Sequence, residues 1–221
     1  MPSDTPNVVY GNQEDYRKLY YSNPDAALKV PVSISKGFGV LKMGTALAKN
    51  NSAAGSVGKM LPYDPTAITG AEDAPGRAYL VTDSGIADNF VYVAMDDSYK
   101  FSVGDDLIIN DDTTAAENLG AITAIDRTTY TNRAKITATS NIGGTAFTTA
   151  RFAYVTIEGY DTCVGILEKT VDTGDDEDAA GALATLIIGN CVLYTGTLLN
   201  VDSAALTDLS AATFGNYTYI R

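Results

Sequence analysis

Hydrophobic and polar residues alternate along much of this chain with the two-residue period of strands rather than the 3.6-residue period of helices. VPVSIS sets Val30, Val32 and Ile34 on one face, the mark of a half-buried strand. GVLKMGTALAK follows, with Gly39 and Gly44 as expected bends, and NNSAAGSVG reads as a flexible hairpin connection. KMLPYDP brings the chain back and stops it, because Pro62 and Pro65 cannot donate to a central ladder. A further strand is expected over residues 78–82. Beyond it FVYVAM, DDLIIN, GAITAID, AKITATS and FAYVTI are short apolar runs between polar turns. That rhythm predicts a small all-β barrel or sandwich.

From about Tyr160 the first character returns. CVGILEKTV reads as a strand, DTGDDEDAAGA as an acidic loop, and LATLIIGNCVLYTGTLL as a strand pair or one bent strand. VDSAALTDLSAATF predicts a short helix, N-capped by Asp202 or Ser203, with Leu206, Leu209 and Phe214 toward one side. GNYTYIR is a last strand or a second arm. The first 30 residues are polar, carry Tyr10, Tyr16, Tyr20 and Tyr21, and are broken by Pro2, Pro6 and Pro24. They read as an arm that orders against a partner or as a frayed terminus.

Composition narrows the function. The 221 residues carry 15 Lys and Arg against 27 Asp and Glu, a net charge of −12. Nucleic acids and anionic membranes are bound through basic patches, so both are disfavoured partners. No apolar run reaches the 18 or so residues of a membrane span, and no basic-then-apolar leader opens the sequence. Synthesis and folding in a cytoplasm are expected. Histidine is absent, which removes the commonest general base and metal ligand. Cys163 and Cys191 sit in apolar runs without a CxxC and read as buried free thiols rather than a disulfide.

Candidate chemistry is thin. The acidic loop at 172–178 lacks the spacing of a calcium-binding EF-hand and reads as a solvated turn. Asp96-Asp97, Asp105-Asp106 and Asp111-Asp112 offer paired carboxylates at strand ends, the raw material of glycoside hydrolysis, with no cleft to join them. Gly143-Gly144 and Gly55-x-x-Gly58 read as hairpin glycines, not phosphate cradles. The 14 tyrosines offer either a carbohydrate- or partner-binding surface or plain strand formers, the second reading weighing more in the central region than in the arm.

Six short motifs flank the central β region: Leu41-Lys42-Met43-Gly44-Thr45, Tyr63-Asp64-Pro65, Gly165-Ile166-Leu167, the acidic turn at 172–178, the apolar run ending at Gly189, and Ala204-Ala205-Leu206. Read together without the middle, they resemble the head-decoration (cement) proteins of tailed bacteriophages, of the lambda decoration-protein type. The resemblance implies a mainly β chain: a decoration-type β-fold with a short helix, interrupted by a small inserted β-barrel or sandwich. It divides the chain into an extended N-terminal arm at 1–36, a base at 37–79 and 159–221, and an inserted all-β domain at 80–158. Insertion at an exposed loop is cheap because closure entropy grows slowly with loop length.

The resemblance also implies a structural virion protein without enzymatic activity or cofactor. It would sit as a homotrimer on the outer surface of the expanded capsid and hold it against internal DNA pressure. The arm would add β-pairing to the major capsid protein. Val8, Val9, Tyr10, Tyr16, Tyr20 and Tyr21 are the expected capsid-binding residues. Leu41, Gly44, Thr45, Tyr63, Pro65, Gly165, Ile166, Leu167 and Leu206 are the expected base core and subunit interface. The alternative is a phage fibre, tail or surface-adhesion module whose inserted domain binds a host glycan.

Overall fold

Strands from both ends of the sequence meet in one barrel. The computed structural model describes residues 19–22, 24–64, 74–111, 113–211 and 217–220. The first stretch of chain supplies β1 (Tyr20–Ser22), β2 (Leu28–Ile34), β3 (Val40–Leu41), β4 (Ala46–Lys49) and β5 (Met60–Pro62). The middle supplies β6 (Ala78–Tyr79), β7 (Phe90–Ala94), β8 (Asp106–Asn110), β9 (Glu117–Asp126), β10 (Arg133–Ala138) and β11 (Tyr154–Ile157). The last supplies β12 (Cys163–Leu167), β13 (Val171–Asp172), β14 (Ala182–Gly189), β15 (Cys191–Tyr194), the helix α1 (Ser203–Ala211) and β16 (Tyr217–Ile220).

The base is a closed barrel in the order β12-β14-β2-β5-β4. Its longest ladder pairs β2 with β14 antiparallel, setting Val30 against Leu186 and Val32 against Ala184. Leu47, Ile166, Leu167 and Ile187 are fully buried in its core. Each such side chain contributes about 1.5–3 kcal/mol through burial. The sheet β1-β15-β16 lies beside the barrel, and the tail is thus a last strand, parallel to β15. Asn190, at φ 58°, makes the corner between β14 and β15.

The middle of the chain forms a second sheet, β6-β11-β8-β9-β10-β7. A bridge between Leu80 and Val93 brings its two edges together, so the sheet curls almost into a barrel. It encloses a separate core containing Phe101, Leu107, Ile136 and Phe147. The mainly β architecture with one short helix among the described residues matches the fold class expected from sequence. Alternation along β8 links the two units: Leu107 and Ile109 face the second core, while Ile108 joins the base core.

Four local expectations change. The arm boundary at 36 falls inside the base, since Leu28–Ile34 is a barrel strand. The inserted unit begins by Ala78, which is fully buried in its core. Pro62 pairs in register with Leu47, tolerated because the neighbouring Tyr63 N–H makes the bond to β4, to the Ala46 carbonyl at 3.0 Å, and the Pro62–Leu47 pair needs none. The expected flexible connection at 50–58 holds buried Asn50, Ser52 and Ser56, packed against the second unit. Val8, Val9, Tyr10, Tyr16, Pro65, Asp112 and Phe214 lie outside the described residues.

Cys163 and Cys191 are both free and buried. Burial pushes the Cys163 thiol up to about 12 and the Cys191 thiol to about 11. Thiolates are the reactive species. A disulfide-exchange reagent at mildly alkaline pH is expected to label neither thiol in the folded protein and both in denaturant. Rapid labelling of the native protein would contradict this burial.

Candidate functional site

The expected base residues are mostly sealed inside one chain. Leu41, Thr45, Tyr63, Ile166 and Leu167 are at most 3% exposed. Thr45 Oγ1 donates to the Lys42 carbonyl at 2.7 Å, and Tyr63 Oη donates to Asp202 Oδ1 at 2.9 Å. Gly44 has φ +89°, and a Cβ there would stand 2.1 Å from the Thr197 carbonyl oxygen. At Gly165 a Cβ would stand 2.6 Å from the Ile187 carbonyl oxygen, so only glycine lets β12 lie this close to β14. These positions are buried and offer a neighbouring subunit little side-chain surface. Leu206 is half-buried, whereas Ala205 and Leu209 form the core-facing side of α1. Asp202 Oδ1 also accepts the Ala205 N–H, which makes Asp202 the helix cap.

Exposed apolar surface of the base lies elsewhere. Leu183 on β14 is 86% exposed, opposite Ser33 of β2. On the side of β2 away from β14, strand pairing is confined to Ile34 with Met60. Among the described residues, Leu28 to Ser33 are therefore unpaired on that side, where Pro31 offers a carbonyl but no N–H. Tyr20 and Tyr21 stand where the chain enters the base. Tyr20 Oη donates to Glu168 at 3.0 Å, and Tyr21 meets the Tyr194 ring edge-on at 5.3 Å. They help line a groove of about 530 Å³ with Met43 and Pro24.

The junction between the two units is built from buried charge. Asp64 N–H donates to the Tyr160 carbonyl at 3.0 Å where the chain leaves the base and returns. Arg77 Nε and Nη2 grip the Asp64 carboxylate at 2.8–3.0 Å, and the guanidinium lies 4.2 Å from the Tyr154 ring centroid. Burial pushes the Asp64 carboxyl up, while Arg77 opposes that shift. Asp105, fully buried, accepts from Asn50 Nδ2, Ser56 N–H, Ser56 Oγ and Ser102 N–H. Of the paired carboxylates noticed in sequence, Asp97, Asp105 and Asp111 serve structure. Asp97 pairs with Lys100 at 2.6 Å, and Asp111 accepts from Thr113 and Thr114. In the acidic loop, Asp175, Asp176, Glu177 and Asp178 are exposed.

A different surface concentrates recognition chemistry. Along β7 and β10 the strand period sends Val91, Val93, Ala134 and Ile136 inward. Phe90, Tyr92, Arg133 and Lys135 take the outer face, with Lys135 directly opposite Tyr92. Rings of Phe90 and Tyr92 meet edge-on at 5.6 Å, and those of Tyr92 and Tyr130 at 5.3 Å. Arg133 lies 4.5 Å from the Tyr92 centroid and 4.8 Å from that of Tyr130, and Lys135 Nζ lies 4.0 Å from that of Phe90. Tyr92 and Tyr130 share a 3.1 Å hydrogen bond, which pushes the Tyr92 phenol up. Neither Arg133 nor Lys135 has a carboxylate within 4 Å among the described residues. The sequence shows the alternation, but nothing in it announces that these two strands are partners.

Comparison with known proteins finds no matching family model, curated protein or solved structure.

Proposed function

We propose that this chain is a non-enzymatic assembly protein of a phage virion. In this reading it decorates the expanded capsid as a trimer, holding on through its base and projecting the second unit outward. The observation that carries it is the edge of β2, unpaired among the described residues, beside the exposed Leu183. A free strand edge is a template for pairing with another chain, and a flanking apolar side chain supplies a contact for a pocket. The resemblance of the flanking motifs to decoration proteins gives that edge a partner, the major capsid protein. Repetition over a trimer and over a shell multiplies weak contacts into firm attachment.

Co-sedimentation tests this reading, using expanded tailed-phage shells stripped of decoration, with unexpanded shells as control. Saturable binding to expanded shells alone, by a species three chains in mass, is expected. Removing residues 1–18 is expected to weaken capture while leaving the barrel intact. Deletion through residue 36 would take out β2 and test folding instead. Absence of binding to either shell would overturn the proposal.

A second reading has its own observation. The cation–aromatic face of β7 and β10 favours a glycan-binding module in the inserted unit, because ring faces stack on sugars and the flanking polar groups meet hydroxyls.

A further inference from the structure

We propose that the outer face of β7 and β10 binds a sugar chain bearing carboxylates, with Arg133 and Lys135 as its anion-recognising groups. The inference rests on the second reading above and narrows it to acidic glycans.

Charge is the first reason. The protein carries −12 overall, yet on this face two cations stand two residues apart on one strand, neither matched by a carboxylate within 4 Å among the described residues. Asp126 sits opposite Lys135 in the β9–β10 register. The Thr128 N–H, the Thr128 hydroxyl and the Thr129 N–H close the following turn on its Oδ1 and hold it as a carboxylate, so the face sets two cations beside one anion. Arg133 Nη1 donates to the Thr82 hydroxyl at 3.0 Å, and that bond together with two rings fixes the guanidinium plane. A planar guanidinium held in place is suited to a bidentate carboxylate.

Shape is the second. A cleft of about 520 Å³ opens beside Arg133, lined by Val81, Thr129, Tyr130, Thr131 and Asn132. It is a shallow, open depression, which suits a sugar laid along a surface rather than one enclosed. Val81 and the Tyr130 ring offer apolar area to a sugar face. The threonine hydroxyls and the Asn132 amide offer donors and acceptors to its hydroxyls. From the cleft, Arg133, Tyr92, Lys135 and Phe90 continue the surface along the sheet, which suits a chain of sugars better than a single one. A nucleic acid would also bring rings and negative charge, but phosphate backbones are held by many Lys and Arg contacts, and the described residues of this face offer Arg133 and Lys135 for that role.

The experiment titrates the full-length protein calorimetrically with oligogalacturonate, its methyl-esterified form, sialyllactose, lactose and a single-stranded oligothymidylate. Binding of the acidic sugars is expected, weakened about tenfold or more by esterification and by Arg133→Gln, and weakened by added salt. Lys135→Gln gives a second variant at a half-exposed site, and circular dichroism reports the folding of both. Equal binding of esterified and free acid would leave the glycan reading standing and overturn the acidic-sugar inference. Absence of binding to every sugar would overturn both. Oligothymidylate binding tighter than the acidic sugars would replace the glycan with nucleic acid.

Discussion

Replacing Asp105 with alanine is expected to cost at least about 3 kcal/mol and to separate unfolding of the two units. Its carboxylate is fully buried and takes donors from Asn50, Ser56 and Ser102. Alanine would leave those donors buried without an acceptor, at about 1–3 kcal/mol each. The bonds cross the junction: Asn50 and Ser56 belong to the base loop, Ser102 and Asp105 to the second unit. Ser52 Oγ adds a further link by accepting the Asp106 N–H at 2.8 Å. Wild-type protein should therefore unfold in one cooperative transition, and the variant in two, followed by urea titration and calorimetry. Asp105→Asn keeps the shape but turns an amide NH2 toward part of the donor set, so an intermediate loss is expected. A loss below about 1 kcal/mol for the alanine variant would show that these donors find other partners.

The Arg77–Asp64 pair should give the other large effect. Arg77→Met keeps most of the side-chain volume but leaves a carboxylate that is fully buried without its cation. Breaking a buried pair from one side costs about 3–5 kcal/mol. It also removes the guanidinium from the Tyr154 ring. Replacing both partners, with Asp64→Leu added to Arg77→Met, should recover part of that loss, because no charge then remains stranded. A double-mutant cycle in denaturant measures the coupling. Strictly additive losses would mean that the two groups act independently.

These acids mark the limit of what the sequence made legible. Asp64 and Asp105 read there as part of a corner and of a strand-end pair, because an Asp in a polar turn is usually solvated. Their burial follows from packing of one unit on the other, which local patterning does not encode. The alternation of Val30, Val32 and Ile34 was legible as a strand, and the helix cap was legible as Asp202 or Ser203, of which the structure uses Asp202. The membership of Leu28–Ile34 in the barrel was not, since its main partner, β14, lies about 150 positions further along. The cation–aromatic face was half legible. Phe90 with Tyr92, and Arg133 with Lys135, each show the period of two, but only the β7–β10 register brings rings and charges together.

The closeness of Asp64 to Tyr160 also sets an order of events on the ribosome. β2, β4 and β5 emerge first, yet their barrel waits for β12 and β14. Before those arrive, the middle strands have all been made and can enclose their own core. Once they do, the ends of a stretch on the order of 100 residues are already joined, which relieves the base of roughly 4 kcal/mol of closure entropy. The inserted unit then acts during biosynthesis as a clamp that brings the early and late halves of the barrel together, whatever it later touches on the surface.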